Sequence, residues 1–270
     1  MFGKKDNKVV TIIPARLGST RFPRKALADD TGKPMVVHVC DQAAKAASVN
    51  RVVVATDSEE IKSVVETHGF EAVMTSVDHT NGSSRLHEAS KILKLHNDQL
   101  IVNIQGDEPE IEPRVIDAAI QSLALVNDPP RSRFIPQGVS VGTVATPIHS
   151  DEELDDQNIV KVVTGVIEAD TGVGNALYFS RSNIPFPRHN QTGARPLRHV
   201  GIYAYTVSAL GRYNRWSPTP LETIESLEQL RWLEHGYPIA VAIRESSHTG
   251  IDTPEQYQAF VQRYQDTQSP

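Results

Sequence analysis

Short β-branched runs alternate with amphipathic stretches along the first half of this chain. The runs are 9–13 (VVTII), 51–55 (RVVVA), 72–74 (AVM), 100–104 (LIVNI) and 140–146 (SVGTVAT). Between them lie 33–47, 58–70, 83–96 and 113–126, with apolar residues at helical spacing. Strand and helix alternating at this pitch predict an α/β fold with a mostly parallel sheet and helices on both faces. In open sheets of that kind, ligands bind beyond the carboxyl ends of the strands. Four segments each follow a strand and are expected near one another: 14–25, 55–57, 74–85 and 105–108.

The second half is less regular. Segment 127–138 (NDPPRSRFIPQG) has three prolines and reads as a surface loop. Leu177–Phe179 and His199–Tyr205 read as strands joined by the polar stretch 186–197. Residues 220–234 are expected to form one helix, because Leu221, Ile224, Leu227, Leu230 and Leu233 recur every three residues. A strand at 239–243 leads to a last helix capped by Thr253, with Pro254 at its first position. Ser58 is expected to cap the helix that follows it.

With 270 residues, 39% of them hydrophobic, the chain can bury one large core or two closely packed ones. A net charge of −6 points away from a nucleic-acid or membrane surface. The one cysteine, Cys40, has no partner in the chain and lies in an apolar stretch, which suits a buried hydrophobe in a reducing cytosol. No apolar run approaches the roughly 18–20 residues of a membrane span, and the polar N-terminus lacks a signal-peptide core. A cytoplasmic enzyme is the expectation.

The loop after the first strand holds Arg16, Arg21, Arg24 and Lys25 among small residues. Cations and free backbone N–H groups suit a triphosphate, although the Walker A spacing is absent. A solvated basic turn would look the same. Gln105-Gly106-Asp107-Glu108-Pro109 places a carboxylate at a strand's end, where Asp107 suits Mg²⁺ or a simple turn. Asp252, before Thr253-Pro254, is either a capping residue or a second metal carboxylate, and gains weight only if it sits beside Asp107. Arg198, His199 and Tyr203, with Glu222, Glu225 and Gln229, form a polar set suited to a hydroxyl-rich sugar or to a solvated face. The ten histidines show no metal-binding spacing.

Taken in order, these segments resemble one family. The pattern PAR-x-x-STR-x-P-x-K, then GKPM, ATD, MT-x-x-DH-x-x-G-x-x-R, VN-x-QGDEP, VKVV, ALYFSR-x-x-IP, RH-x-GIYAY, PLE-x-IE-x-LEQLR and DTPE is similar to the 3-deoxy-manno-octulosonate (Kdo) cytidylyltransferases, or CMP-Kdo synthetases. The resemblance runs from about residue 8 to 260. It implies the nucleotide-diphospho-sugar transferase (Rossmann-like) fold as a single domain over 1–270. A small dimerisation and sugar-side sub-domain would be inserted at about 175–220.

The resemblance also implies Mg²⁺-dependent transfer of CMP from CTP to Kdo, for lipopolysaccharide in Gram-negative bacteria, by a cytoplasmic homodimer. An 8-amino variant of Kdo is the alternative acceptor. Carried onto this chain, Arg16, Lys25, Asp107 and Asp252 would be catalytic, with Asp107 and Asp252 the metal carboxylates. Pro14, Ala15, Arg16, Lys25, Thr56, Arg85, Gln105 and Gly106 would bind the nucleotide. Gln105, Arg198, His199, Tyr203, Glu222, Glu225 and Gln229 would surround the sugar. Two departures stand out: Arg24 where the family has glycine, and Gly82-Ser83-Ser84-Arg85 where it reads G-T-E-R.

Overall fold

The computed structural model describes residues 9–18, 21–127, 139–188 and 196–268. The expected loop at 127–138 lies outside the described residues beyond Asn127, as does 189–195 of the polar stretch. Of the described residues, 9–116 and 247–268 form one compact unit and those within 117–246 the other.

The first unit is the regular alternation. Strands β1 (Val9–Ala15), β2 (Val49–Thr56), β3 (Glu71–Met74) and β4 (Leu100–Asn103) are joined through helices α1 (Met35–Lys45), α2 (Glu59–Thr67) and α3 (Gly82–Ile92). The strand order is β3-β2-β1-β4 and every pairing is parallel. Ile12 and Ile13 of β1 and Val53 and Val54 of β2 are both fully buried pairs, as strands covered on two faces require. The helix starts have local causes. Ser58 accepts from Ile61 N, and Asn81 accepts from Ser84 N, each supplying one of the acceptors a helix start lacks. Thr253 does the same for Gln256 N at the head of α9 (Pro254–Gln268), with Pro254 first in the helix as expected.

Between α3 and the second unit runs α4 (Pro113–Asn127), inside which the division falls. The second unit contains β5 (Val141–Pro147), α5 (Asp151–Asp155), β6 (Lys161–Thr164), β7 (Val173–Ser180), β8 (Leu197–Thr206), α6 (Val207–Tyr213) and β9 (Ile239–Ile243). Here β5 pairs antiparallel with β8 and parallel with β9, while β7 pairs antiparallel with both β6 and β9. The parallel order expected from the alternation therefore holds in the first unit, and the second is mixed.

The single helix expected over 220–234 is two: α7 (Pro220–Glu225) and α8 (Leu230–Glu234). Ser226 breaks it by adopting the left-handed conformation, φ 53°. The break has a physical reward. Glu222 and Arg231 are both buried, with Arg231 Nε donating to Glu222 Oε2 at 2.6 Å. Nine residues of straight helix would separate them by about 13 Å of rise. Only the turn at Ser226 brings the charges together, and removing one partner of such a pair typically costs about 3–5 kcal/mol. The periodic leucines are consequently not one buried stripe: Leu227 and Leu230 are buried, whereas Ile224 is 78% exposed. Among the described residues, no helix is long and apolar enough to cross a membrane.

In the first unit His38 is buried against Phe260 and Tyr264 of α9, with ring centroids 5.3 and 4.8 Å away. Its Nε2 lies 2.7 Å from Thr31 Oγ1. Burial first, and the Lys33 charge second, lower its pKa to about 4. As pH falls below the ordinary value near 6.5, the unfolded chain takes up a proton that folded His38 refuses, so stability falls. Between neutrality and pH 5 this group alone is expected to remove about 2 kcal/mol. His38→Gln should flatten the acid limb by that amount in urea titrations at the two pH values. An unchanged limb would rule out the assignment.

Candidate active site

Strands β1 and β4 are neighbours, so the loops leaving their carboxyl ends share one opening. A cavity of about 300 Å³ lies there, within the first unit. Pro14, Ala15, Arg16, Lys25, Arg85, Gln105, Gly106, Asp107 and Asp252 all line it, which gathers nine of the ten nucleotide and metal residues expected from the sequence. The tenth, Thr56, is not among the lining residues. It is fully buried at the end of β2, where its hydroxyl accepts from Ser58 N at 3.2 Å and its carbonyl accepts from Thr75 N at 2.8 Å.

The centre of the cavity wall is one ammonium. Lys25 opens a short 3-10 turn (Lys25–Leu27) and donates to Asp107 Oδ2 at 2.7 Å, Ile251 O at 2.8 Å and Asp252 Oδ1 at 3.2 Å. The fold thus places Asp252 beside Asp107. Arg21 adds a second cation, 3.1 Å from Asp252 Oδ2. Burial raises the pKa of Asp107, with Lys25 pulling the other way. Two carboxylates converging on one cation at a phosphate-ready loop match the way Mg²⁺ is held, by one or two carboxylates plus phosphate oxygens and water. Among the described residues no group of three His, Cys, Asp or Glu could hold a metal, which leaves the donor set far from a zinc cage.

Gly106 is needed for a close approach of backbones: a Cβ there would stand 2.9 Å from Pro14 O. Arg85 is buried and spoken for, donating to Thr75 Oγ1 and Asp57 Oδ2 at 2.7 Å each. It braces the wall, and Asp57 of the ATD segment is its counter-charge.

Sequence reasoning put the segment 74–85 near the site but missed which residues face the cavity: His79, Thr80, Asn81 and Gly82. The DH-x-x-G-x-x-R pattern was the available signal. His79 Nε2 lies 2.5 Å from Glu88 Oε2, which also accepts from Ser76 N at 2.8 Å. That hydrogen bond from His79, followed by the one from Ser76, lowers the pKa of Glu88. A carboxylate on α3 thereby fixes the shape of the loop bearing His79.

The second unit contains all of the expected sugar residues except Gln105. Arg198 is buried, with Nη2 donating to Ser246 O at 2.9 Å. His199 lies between Phe179 and Tyr203, with ring centroids 5.0 and 5.4 Å away, and Nε2 is 3.0 Å from Thr143 Oγ1. Desolvation, then the adjacent Arg198 charge, lower its pKa to about 3, so it is neutral near pH 7. Three expected helix-face residues do not share a face. Glu222 is engaged by Arg231, and Glu225 accepts from Ser180 Oγ at 2.6 Å and Arg181 N at 3.0 Å, beyond the turn at Ser226 from Gln229. Gln229 is buried with no hydrogen-bond partner on Nε2, an orphan donor of the kind a ligand oxygen satisfies.

A sequence model of the family described as Cytidylyltransferase matches residues 10–244. The 3-deoxy-manno-octulosonate cytidylyltransferase of Neisseria meningitidis serogroup A / serotype 4A is 48% identical over 255 residues, covering 91% of this chain and 94% of that one. The protein of the same name from Syntrophobacter fumaroxidans is 43% identical, covering 94% and 96%. A solved CMP:2-keto-3-deoxy-manno-octonic acid synthetase complexed with CTP is 38% identical and superimposes with a TM-score of 0.84 over 96% of this chain and 99% of that one. A Bacillus anthracis structure described as a putative glucose-1-phosphate thymidylyltransferase shares the fold alone, at 13% identity and TM-score 0.62 over 96% of each chain.

Arg24, the departure beside Lys25, takes the left-handed conformation at φ 58° and pairs with Glu60, both side chains well exposed. Exposed pairs of this kind contribute little. Arg24→Gly restores the residue that favours this backbone and is expected to leave the KM for CTP within about threefold of the parent. A larger loss in steady-state kinetics would show that Arg24 holds the triphosphate.

Proposed function

The chain belongs to the 3-deoxy-manno-octulosonate cytidylyltransferases, and from that membership we propose that it transfers CMP from CTP to Kdo, releasing pyrophosphate. The observation that carries the reading is Lys25, held between Asp107 and Asp252 in a cavity that also receives Arg16 and Arg21. A triphosphate brings about four negative charges, and this wall offers three cations to meet them. The sugar's anomeric oxygen forms a bond to the α-phosphorus, the bond to the β-phosphate breaks in line, and the hydroxyl proton is released. Such transfer depends mainly on positioning and charge neutralisation.

The roles divide among residues already described. Lys25 and the arginines hold phosphate oxygens, and Gly106 lets the loop after β4 pack closely against the end of β1. Asp107 and Asp252 would hold Mg²⁺, which neutralises phosphate charge and polarises oxygen when bound. For the sugar acid, we assign Arg198 to the carboxylate and His199, Tyr203, Glu222, Glu225 and Gln229 to the hydroxyls, and Gln105 to the sugar as the resemblance implies. The orphan donor on Gln229 supports that assignment. Magnesium dependence, a homodimer and a cytoplasmic setting, with the product destined for lipopolysaccharide, belong to the same proposal. A mass near twice 29.8 kDa by light scattering is the expected result for the dimer.

Purified full-length protein with CTP, Kdo and Mg²⁺ should release pyrophosphate. Silence with Kdo and turnover with its 8-amino variant would move the substrate assignment. Silence with every sugar acid would overturn the transferase reading. Asp107→Asn should cut kcat by about 100-fold or more while CTP affinity changes only a few-fold, because it disturbs metal placement more than phosphate binding. Near-normal turnover in that variant would sink the carboxylate's role.

A further inference from the structure

Behind the two carboxylates of the cavity lies a second charged cluster. His248 is buried, four residues before Asp252. Its Nδ1 is 3.0 Å from Glu112 Oε2 and its Nε2 is 3.1 Å from Glu108 Oε2. The Nδ1 contact is a hydrogen bond, whereas the Nε2 contact is an ion-pair approach without hydrogen-bond geometry. Burial works against a charged ring, yet Glu108 and Glu112 together hold the pKa above its ordinary value.

The cluster joins two stretches of chain that have no covalent reason to stay together, since His248 and Glu112 are 136 residues apart. Glu108 directly follows Asp107. Gly250, two residues before Asp252, packs against Glu108: a Cβ there would meet Glu108 Oε1 at 3.4 Å. Ile251 N donates to Asp107 O at 2.9 Å, so the two carboxylate-bearing loops are also laced by backbone. Glu112 sits at the head of α4, where its carbonyl accepts from Val115 N, and so anchors the cluster to a helix.

We propose that His248 is a positioning residue for cytidylyl transfer, clamping the Asp107 loop to the Asp252 loop through Glu108 and Glu112 so that both carboxylates converge on one cation. His248 touches neither substrate nor cation. Without it, the turn that carries Glu108 and its neighbour Asp107 loses its side-chain tie to Glu112. The inference rests on the transferase reading above, in which those two carboxylates hold magnesium. Groups that fix metal ligands from behind typically account for about 10–100-fold in metal affinity or activity.

The test compares the full-length parent with His248→Gln, Glu112→Gln and, as a control for general destabilisation, His38→Gln. Mn²⁺ binding to nucleotide-free protein is read by electron paramagnetic resonance. The Mg²⁺ concentration for half-maximal pyrophosphate release is read separately. His248→Gln is expected to raise both by about tenfold, with the KM for CTP nearly unchanged, and Glu112→Gln, which keeps the Glu108 arm, by about threefold. His38→Gln is expected to lower the melting temperature and move neither. Should His248→Gln fail to fold, Glu112→Gln decides. Metal values within twofold of the parent in the folded variants would overturn the inference while leaving the transferase reading intact. A parent protein that neither binds Mn²⁺ nor releases pyrophosphate would overturn both.

Discussion

One ammonium organises the catalytic end of this molecule. Lys25 donates to Asp107, Ile251 and Asp252, acceptors from two loops far apart in the sequence. Two carboxylates this close repel each other unless a cation lies between them. Lys25 therefore opposes the burial that raises the pKa of Asp107, and holds the two acidic loops in register. In the proposed reaction the same carboxylates take a divalent cation, and Lys25 is free to turn to the phosphates. The geometry made by one positive charge is then used by another.

The supports around that centre are mostly polar groups acting through neighbours. Glu88 shapes the His79 loop by accepting from both Ser76 and His79. Asp57 and Thr75 immobilise Arg85. His248 ties Glu108 to Glu112. A buried donor or acceptor is costly to leave unmet, so each of these contacts fixes its partners more firmly than apolar packing would. In the second unit Glu222 and Arg231 play the same part, and the chain bends at Ser226 to let them meet.

Much of the first unit was legible from the residues. Strands covered on two faces leave continuous β-branched runs, and amphipathic helices leave a 3.6-residue period, so β1 to β4 and α1 to α3 fall where the pattern puts them. Ser58 and Thr253 were readable as caps because the capping bond is local. The second unit was harder to read. β6 is short, β7 carries exposed Leu177, and neither shows a clean alternation. The leucine period over 220–234 is real, but periodicity reports only local preference, and a buried ion pair nine residues long outweighs it.

The sequence by itself determined the order of strands and helices in the first unit, the cationic loop after β1, the acidic residues Asp107 and Asp252, and the family to which they belong. These are properties of composition and short-range spacing. Only the tertiary structure decided that Asp252 lies beside Asp107, that His79 lines the cavity, and that His248 sits between Glu108 and Glu112. The meeting of Asp107 with Asp252 and of Glu112 with His248 depends on residues more than a hundred positions apart, and no local pattern encodes such a distance.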